Sequence, residues 1–141
     1  MAKIFAFEIW QGLMKFQPFY QRAIERKGSE AEVLARLPQL ATAAQLQSLG
    51  DDRYLSAMTK CVFRAGFVWR IIEHKWPGFE EAFSGFVPLY WQQVPPERLE
   101  ALGSDERIVR NMQKINTVPH NAFMIVEAAE QHGSFGHFLA Q

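Results

Sequence analysis

Arg107, Arg110, Asn111 and Lys114 fall within eight positions, just after Ser104-Asp105-Glu106, which reads as a turn leading into a helix that begins near Ile108 or Asn111. Cationic side chains there meet the backbone N–H groups that a helix start leaves without partners, a combination suited to phosphate. A solvated polar face has the same composition, so both readings stand on residue types alone. Trp69 is followed by Glu73 four residues later, about one turn along the same helix face, which directs a ring and a carboxylate to one side. The alternative pair of roles is a core aromatic and a surface ion pair with Arg70 or Lys75.

Cys61 is the only cysteine, which excludes an internal disulfide and a Cys-rich zinc site and fits a cytoplasmic protein. Its thiol is a weak donor and cannot accept hydrogen bonds as a carboxylate does. His120, His132 and His137 fall at helix ends or beyond, where they act as dipole or surface residues. No Gly-rich phosphate loop and no Ser-His-Asp set is present, and neither a metal nor a cofactor is expected.

The elements that must hold these residues are helices. Apolar positions recur at helical spacing nearly throughout, and Gly or Pro punctuates the segments, so the expected fold is all-α, a multi-helix array without a sheet. A first helix covers Phe16 to Lys27 and stops at Gly28, and Ser29 with Glu32 has capping-box spacing for a second. Thr42 caps a short helix ending at Gly50. The longest periodic segment runs from Asp52 to Lys75 through Leu55, Met58, Val62, Phe63, Phe67, Ile71 and Ile72, and is expected to form one central helix broken by Pro77-Gly78. Phe79, Phe83 and Phe86 then line one face of a short helix. Pro95 opens another at Glu97–Leu102, ended by Gly103. From Lys114 the pattern continues to His132-Gly133, with Pro119 expected to kink or divide it. Phe135 to Leu139 forms a last turn.

At 141 residues the chain has the length of one domain, and a single helical domain over 1–141 is expected. Hydrophobic residues make up 48%, enough for a packed core. Fifteen basic and fifteen acidic side chains balance, so no overall field draws the molecule to a polyanion and any nucleic-acid contact must be local. The apolar opening from Met1 to Trp10 is interrupted by Glu8 and lacks a cleavage site, so no signal peptide is expected. No apolar run reaches the length of a membrane span, and a soluble monomer with no membrane partner is expected.

Two blocks carry a family resemblance. Cys61-Val62-Phe63-Arg64-Ala65-Gly66-Phe67-Val68-Trp69, followed by Lys75-Trp76-Pro77-Gly78-Phe79 and Phe83, resembles the 3-methyladenine DNA glycosylase I family, which runs Ala-Gly-Leu-Ser-Trp with aromatic residues ten and fourteen positions after the tryptophan. Arg107-Ile108-Val109-Arg110-Asn111-Met112-Gln113-Lys114-Ile115 is similar to its Ile-Ile-Arg-x-x-x-Lys-Ile, and Asn121-Ala122 to its Asn-Ala. The glycosylase-like region spans 54–136, and the first 50 residues are unmatched.

The resemblance implies the helix-hairpin-helix glycosylase architecture, with the hairpin near 103–115, and a chain shortened at its C-terminus relative to the family. It also implies a partner, DNA containing alkylated bases. The implied activity is excision of alkylated purines such as 3-methyladenine in base-excision repair, with the base flipped into an aromatic pocket. Trp69 is then the ring that stacks the base, Arg107, Arg110, Asn111 and Lys114 contact DNA, and Glu73 supplies a catalytic carboxylate. The family's pocket glutamate, eight residues before the tryptophan, falls on Cys61, placing a thiol at the base-binding position. The family's zinc site of Cys and His near both chain ends has no counterpart. A non-catalytic DNA-damage binder and a plain helical interaction module are the alternative functions.

Overall fold

The computed structural model describes residues 16–141, and among these every regular element is helical. The segment Met1 to Trp10, expected not to be a signal peptide, lies outside the described residues. The chain divides into two compact units, Met1–Leu40 and Ala41–Gln141.

In the first unit, α1 (Phe16–Lys27) ends at Gly28, whose φ of +96° suits a residue without a side chain. Ser29 caps α2 (Glu30–Leu34) by accepting from Glu32 N at 3.2 Å, and the Tyr20 hydroxyl donates to Glu30 at 2.8 Å. Neither helix buries a residue.

The second unit holds the core. Thr42 caps α3 (Ala43–Ser48) through a reciprocal box with Gln45. The expected central helix is two helices, α4 (Asp51–Arg64) and α5 (Trp69–Ala82). Gly66 turns the chain between them at a φ of +66°, and Val68 enters α5 from an extended conformation. Apolar spacing hides this break because both helices keep their inward faces apolar.

The Pro77-Gly78 break does not occur: Pro77 sits inside α5, at the cost of one backbone hydrogen bond. Burial of Ile72, Trp76, Phe79 and Ala82 on the same helix offsets that loss. A 3-10 turn (Ser84–Phe86) and α6 (Pro88–Trp91) follow, so Phe79, Phe83 and Phe86 do not share one short helix. They nonetheless stack, with Phe83 4.9 Å from Phe86 and Trp76 4.9 Å from Phe79 between ring centres. Phe63 meets Phe79 edge-on at 4.7 Å, and Trp91 Nε1 donates to the Phe83 carbonyl at 2.7 Å.

Pro95 is the N-cap of α7 (Pro96–Leu102), which packs against α8 (Met112–Ile115) across the intervening loop. Pro119 neither kinks nor divides α9 (Thr117–His132), because it occupies the first turn where its missing N–H goes unused; the division falls earlier, at Asn116. Gly133 ends α9 at a φ of +88°, and α10 (Phe135–Leu139) begins at the Ser134 cap. Asp51 ties α10 to α4 by accepting from Phe135 N at 2.9 Å. Among the described residues no helix is long and apolar enough to cross a membrane.

Candidate base and backbone interface

Trp69 opens α5 and is 63% exposed, so it takes no part in the core. Phe67, Val68 and Ile71 are also exposed, giving the α4–α5 turn an apolar surface around the ring. Lys60 and Arg64 stand one turn apart on α4 and reach across to α5. Both pair with Glu73, Lys60 at 3.1 Å and Arg64 more closely, and the Arg64 guanidinium lies over the Trp69 ring, 5.1 Å from its centre. The expected alternatives for Glu73 were Arg70 and Lys75; its partners are on the facing helix, because the turn at Gly66 folds α4 back beside the start of α5. Both carboxylate oxygens are engaged. Cys61 is exposed on α4, three residues before Arg64.

The four expected DNA contacts occupy four different situations. Arg107 is exposed and clasps Asp105, with Nη2 2.6 Å from Oδ2, and lies 3.7 Å from Glu81. Its hydrogen bonds hold the Asp105 carboxyl below the usual carboxylate range. Asn111 caps α8 by accepting from Lys114 N at 3.2 Å. Lys114 Nζ donates to the carbonyls of Phe63 at 3.1 Å and Ala65 at 2.6 Å, satisfying two acceptors at the end of α4. Arg110 is exposed and has no ion-pair partner among the described residues.

Lys114 therefore joins the α7–α8 hairpin to the turn that presents Trp69. Two more contacts fix the loop to α5: Lys75 Nζ donates to the Glu106 carbonyl at 2.7 Å, and the Arg107 carbonyl lies against Gly78. Helix α5 thus carries the exposed ring at one end and the hairpin loop further along. Lys114→Met is expected to lower the unfolding free energy by about 1–2 kcal/mol, since two helix-end carbonyls lose a charged donor. Urea unfolding at fixed pH measures it.

Sequence reasoning missed Lys60 and Arg64 as neighbours of Trp69. Their i, i+4 spacing was visible, but the fold-back that points them at α5 depends on Gly66. No three His, Cys, Asp or Glu side chains converge as metal ligands among the described residues.

Residues 46–141 match the profile of a protein family described as methyladenine glycosylase. Among solved structures, 3-methyladenine DNA glycosylase I from Staphylococcus aureus is similar in two forms. One is a glutamate-to-glutamine mutant, and the other addresses the structural basis of that protein's 3-methyladenine recognition. Each has a TM-score of 0.60 and 24% identity over 64% of this chain and 48% of that one. A tyrosine-to-phenylalanine mutant of 3-methyladenine DNA glycosylase I in complex with 3-methyladenine has a TM-score of 0.59 and 25% identity, over 63% of this chain and 48% of that one. The present chain thus spans about half the length of these proteins. No curated protein sequence matches it significantly.

Proposed function

Because this chain belongs to the methyladenine glycosylase family, we propose that it acts on DNA as an N-glycosylase of alkylated purines in base-excision repair. Trp69 stacks the extruded base, and the α7–α8 hairpin positions the damaged strand. Water then attacks the sugar carbon and gives up its proton to solvent, while the glycosidic C–N bond breaks and its electron pair leaves on the base. The observation that carries this reading is the Lys114 bridge. Its bonds to Phe63 and Ala65 set the hairpin and the exposed tryptophan in one rigid relation, as a base must be extruded at a fixed distance from the backbone that is gripped.

Within the hairpin the roles divide. Arg110 is the side chain for phosphate, Asn111 and Lys114 shape the helix that presents it, and Arg107 stiffens the loop through Asp105. Glu73 holds Lys60 and Arg64 in place through its two carboxylate oxygens, and its remaining lone pairs face the site as the carboxylate that assists catalysis.

Duplexes carrying one alkylated purine, 3-methyladenine among them, test the activity through release of free base. Stacking on an aromatic ring is worth about 1–3 kcal/mol per base, so Trp69→Ala should lower release by roughly 10- to 100-fold with Tm unchanged. Arg110→Ala should weaken DNA binding and reduce the slope of log affinity against log salt by about 1. The pairing of Glu73 favours a second reading, a binder of damaged DNA without catalysis. It predicts Trp69-dependent binding with no base released from any lesion, whereas binding that ignores salt and Arg110 alike contradicts both readings.

A further inference from the structure

Helices α1 and α2 form a hairpin that buries no residue, which leaves its apolar side chains without a core. Phe16, Phe19, Ala23 and Ile24 recur at helical spacing along one face of α1, and Phe16 stacks on Tyr20 at 5.5 Å between ring centres. Tyr20, Ala23, Ile24 and Val33 are only half-buried. Phe16, Phe19, Leu34, Leu37 and Leu40 are 53–92% exposed. A helix of 12 residues is marginal in water by itself and draws most of its stability from packing an amphipathic face. Taking about 200 Å² for a side chain of this size when fully exposed, those five residues offer roughly 650 Å². A specific interface takes about 600–1,000 Å² from each partner, so two copies of this surface meet that need.

We propose that residues 16–40 are a homodimerisation element, in place of the monomer expected from the sequence, and that two copies of the chain pair through this face as a four-helix bundle. The charges set how the copies face each other. Arg22, Arg26 and Lys27 lie toward the end of α1, and none has an ion-pair partner among the described residues. The first turn of α2 carries Glu30 and Glu32. A two-fold axis along the helices brings the two Gly28 turns together and sets the basic end of α1 beside the acidic start of the second copy's α2. An axis across the helices would set that end against the start of the other α1, whose first turn has no acidic residue. A two-fold face is self-complementary, so pairing closes at two copies and leaves no apolar stripe for a third. Each particle then carries two copies of the unit that presents Trp69.

Sedimentation velocity on the whole chain, from submicromolar concentrations to about 100 µM, reads the assembly directly, and the wild type should pass from monomer to dimer in the micromolar range. Phe19→Glu and Leu37→Glu each place a charge on the face twice per dimer, and each should raise the dissociation constant on the order of 100-fold. Both side chains are exposed, so the melt of the unit formed by residues 41–141 should not move. Phe123→Glu, at a similarly exposed phenylalanine of α9, should leave the dimer intact. Arg26→Glu should weaken the dimer several-fold by setting like charges against Glu30 and Glu32. A chain that stays monomeric at the highest concentration, or that assembles beyond two copies, overturns the proposal. So does a dimer that Phe19→Glu and Leu37→Glu leave unchanged, or one that Phe123→Glu dissociates. An Arg26→Glu protein that dimerises as tightly as the wild type overturns the axis along the helices.

Discussion

Glu80→Ala is expected to destabilise the unit formed by residues 41–141 by about 3 kcal/mol, read as a fall of roughly 15 °C in Tm. Glu80 is the acceptor on which three side chains converge. Arg53 reaches both carboxylate oxygens, at 3.1 and 3.0 Å, Ser56 donates at 2.5 Å, and Trp76 Nε1 donates at 3.1 Å. Ser56 and Trp76 are buried, so truncation leaves two donors without partners at about 1–2 kcal/mol each. Arg53 also donates to the Gly85 carbonyl at 3.0 Å, inside a turn where Ser84, Gly85 and Phe86 all have positive φ. Two of those residues carry side chains and hold a costly conformation, so the clasp that Glu80 anchors also retains a strained turn.

The same group gives a pH signature. Burial pushes the Glu80 carboxyl upward, but the hydrogen bonds from Arg53, Ser56 and Trp76 and the Arg53 charge outweigh it, leaving the group below its ordinary 4.5. A folded-state pKa below the unfolded one means that the stabilisation is complete above about pH 4.5 and is lost as the pH falls through the folded value. Denaturant midpoints measured from pH 6 downward should fall in this window for the wild type. Glu80→Gln should flatten that part of the profile.

Local signals were legible and long-range ones were not. Gly28, Ser29 and Thr42 ended or capped helices where their chemistry required, because a cap involves residues only a few positions apart. Trp69 stood out by its place in a spaced motif. Its setting did not, since the Arg64 and Lys60 pairs with Glu73 exist only after the chain reverses at Gly66. Among the hairpin residues, positive charge alone could not separate Arg110, which has no ion-pair partner among the described residues, from Lys114, which is committed to helix-end carbonyls. The difference lies in which backbone acceptors come within reach.

Gly78 shows the same limit from the side of the backbone, and Gly78→Ala is expected to lower stability by about 1–2 kcal/mol despite improving helix propensity. Alanine in a helix interior is worth about 1 kcal/mol over glycine, so an open site would gain from the change. Here the added Cβ would lie 2.6 Å from the Arg107 carbonyl oxygen and 3.0 Å from Arg107 Cβ. A backbone carbonyl cannot rotate aside as a side chain can, so either α5 shifts or the loop withdraws. The core holds Trp76 and Phe79 on either side of Gly78, which makes the loop the part that yields. Its withdrawal strains the Lys75 bond to Glu106 and moves Arg110, three residues further on. Gly78→Ala should therefore reduce DNA affinity along with Tm. Arg107→Ala, which removes an exposed pair with Asp105, should lower Tm less than Gly78→Ala does. Thermal melts and salt-dependent binding measured on both variants separate the two effects, and a Gly78→Ala protein as stable as the wild type would show that the loop does not bear on α5.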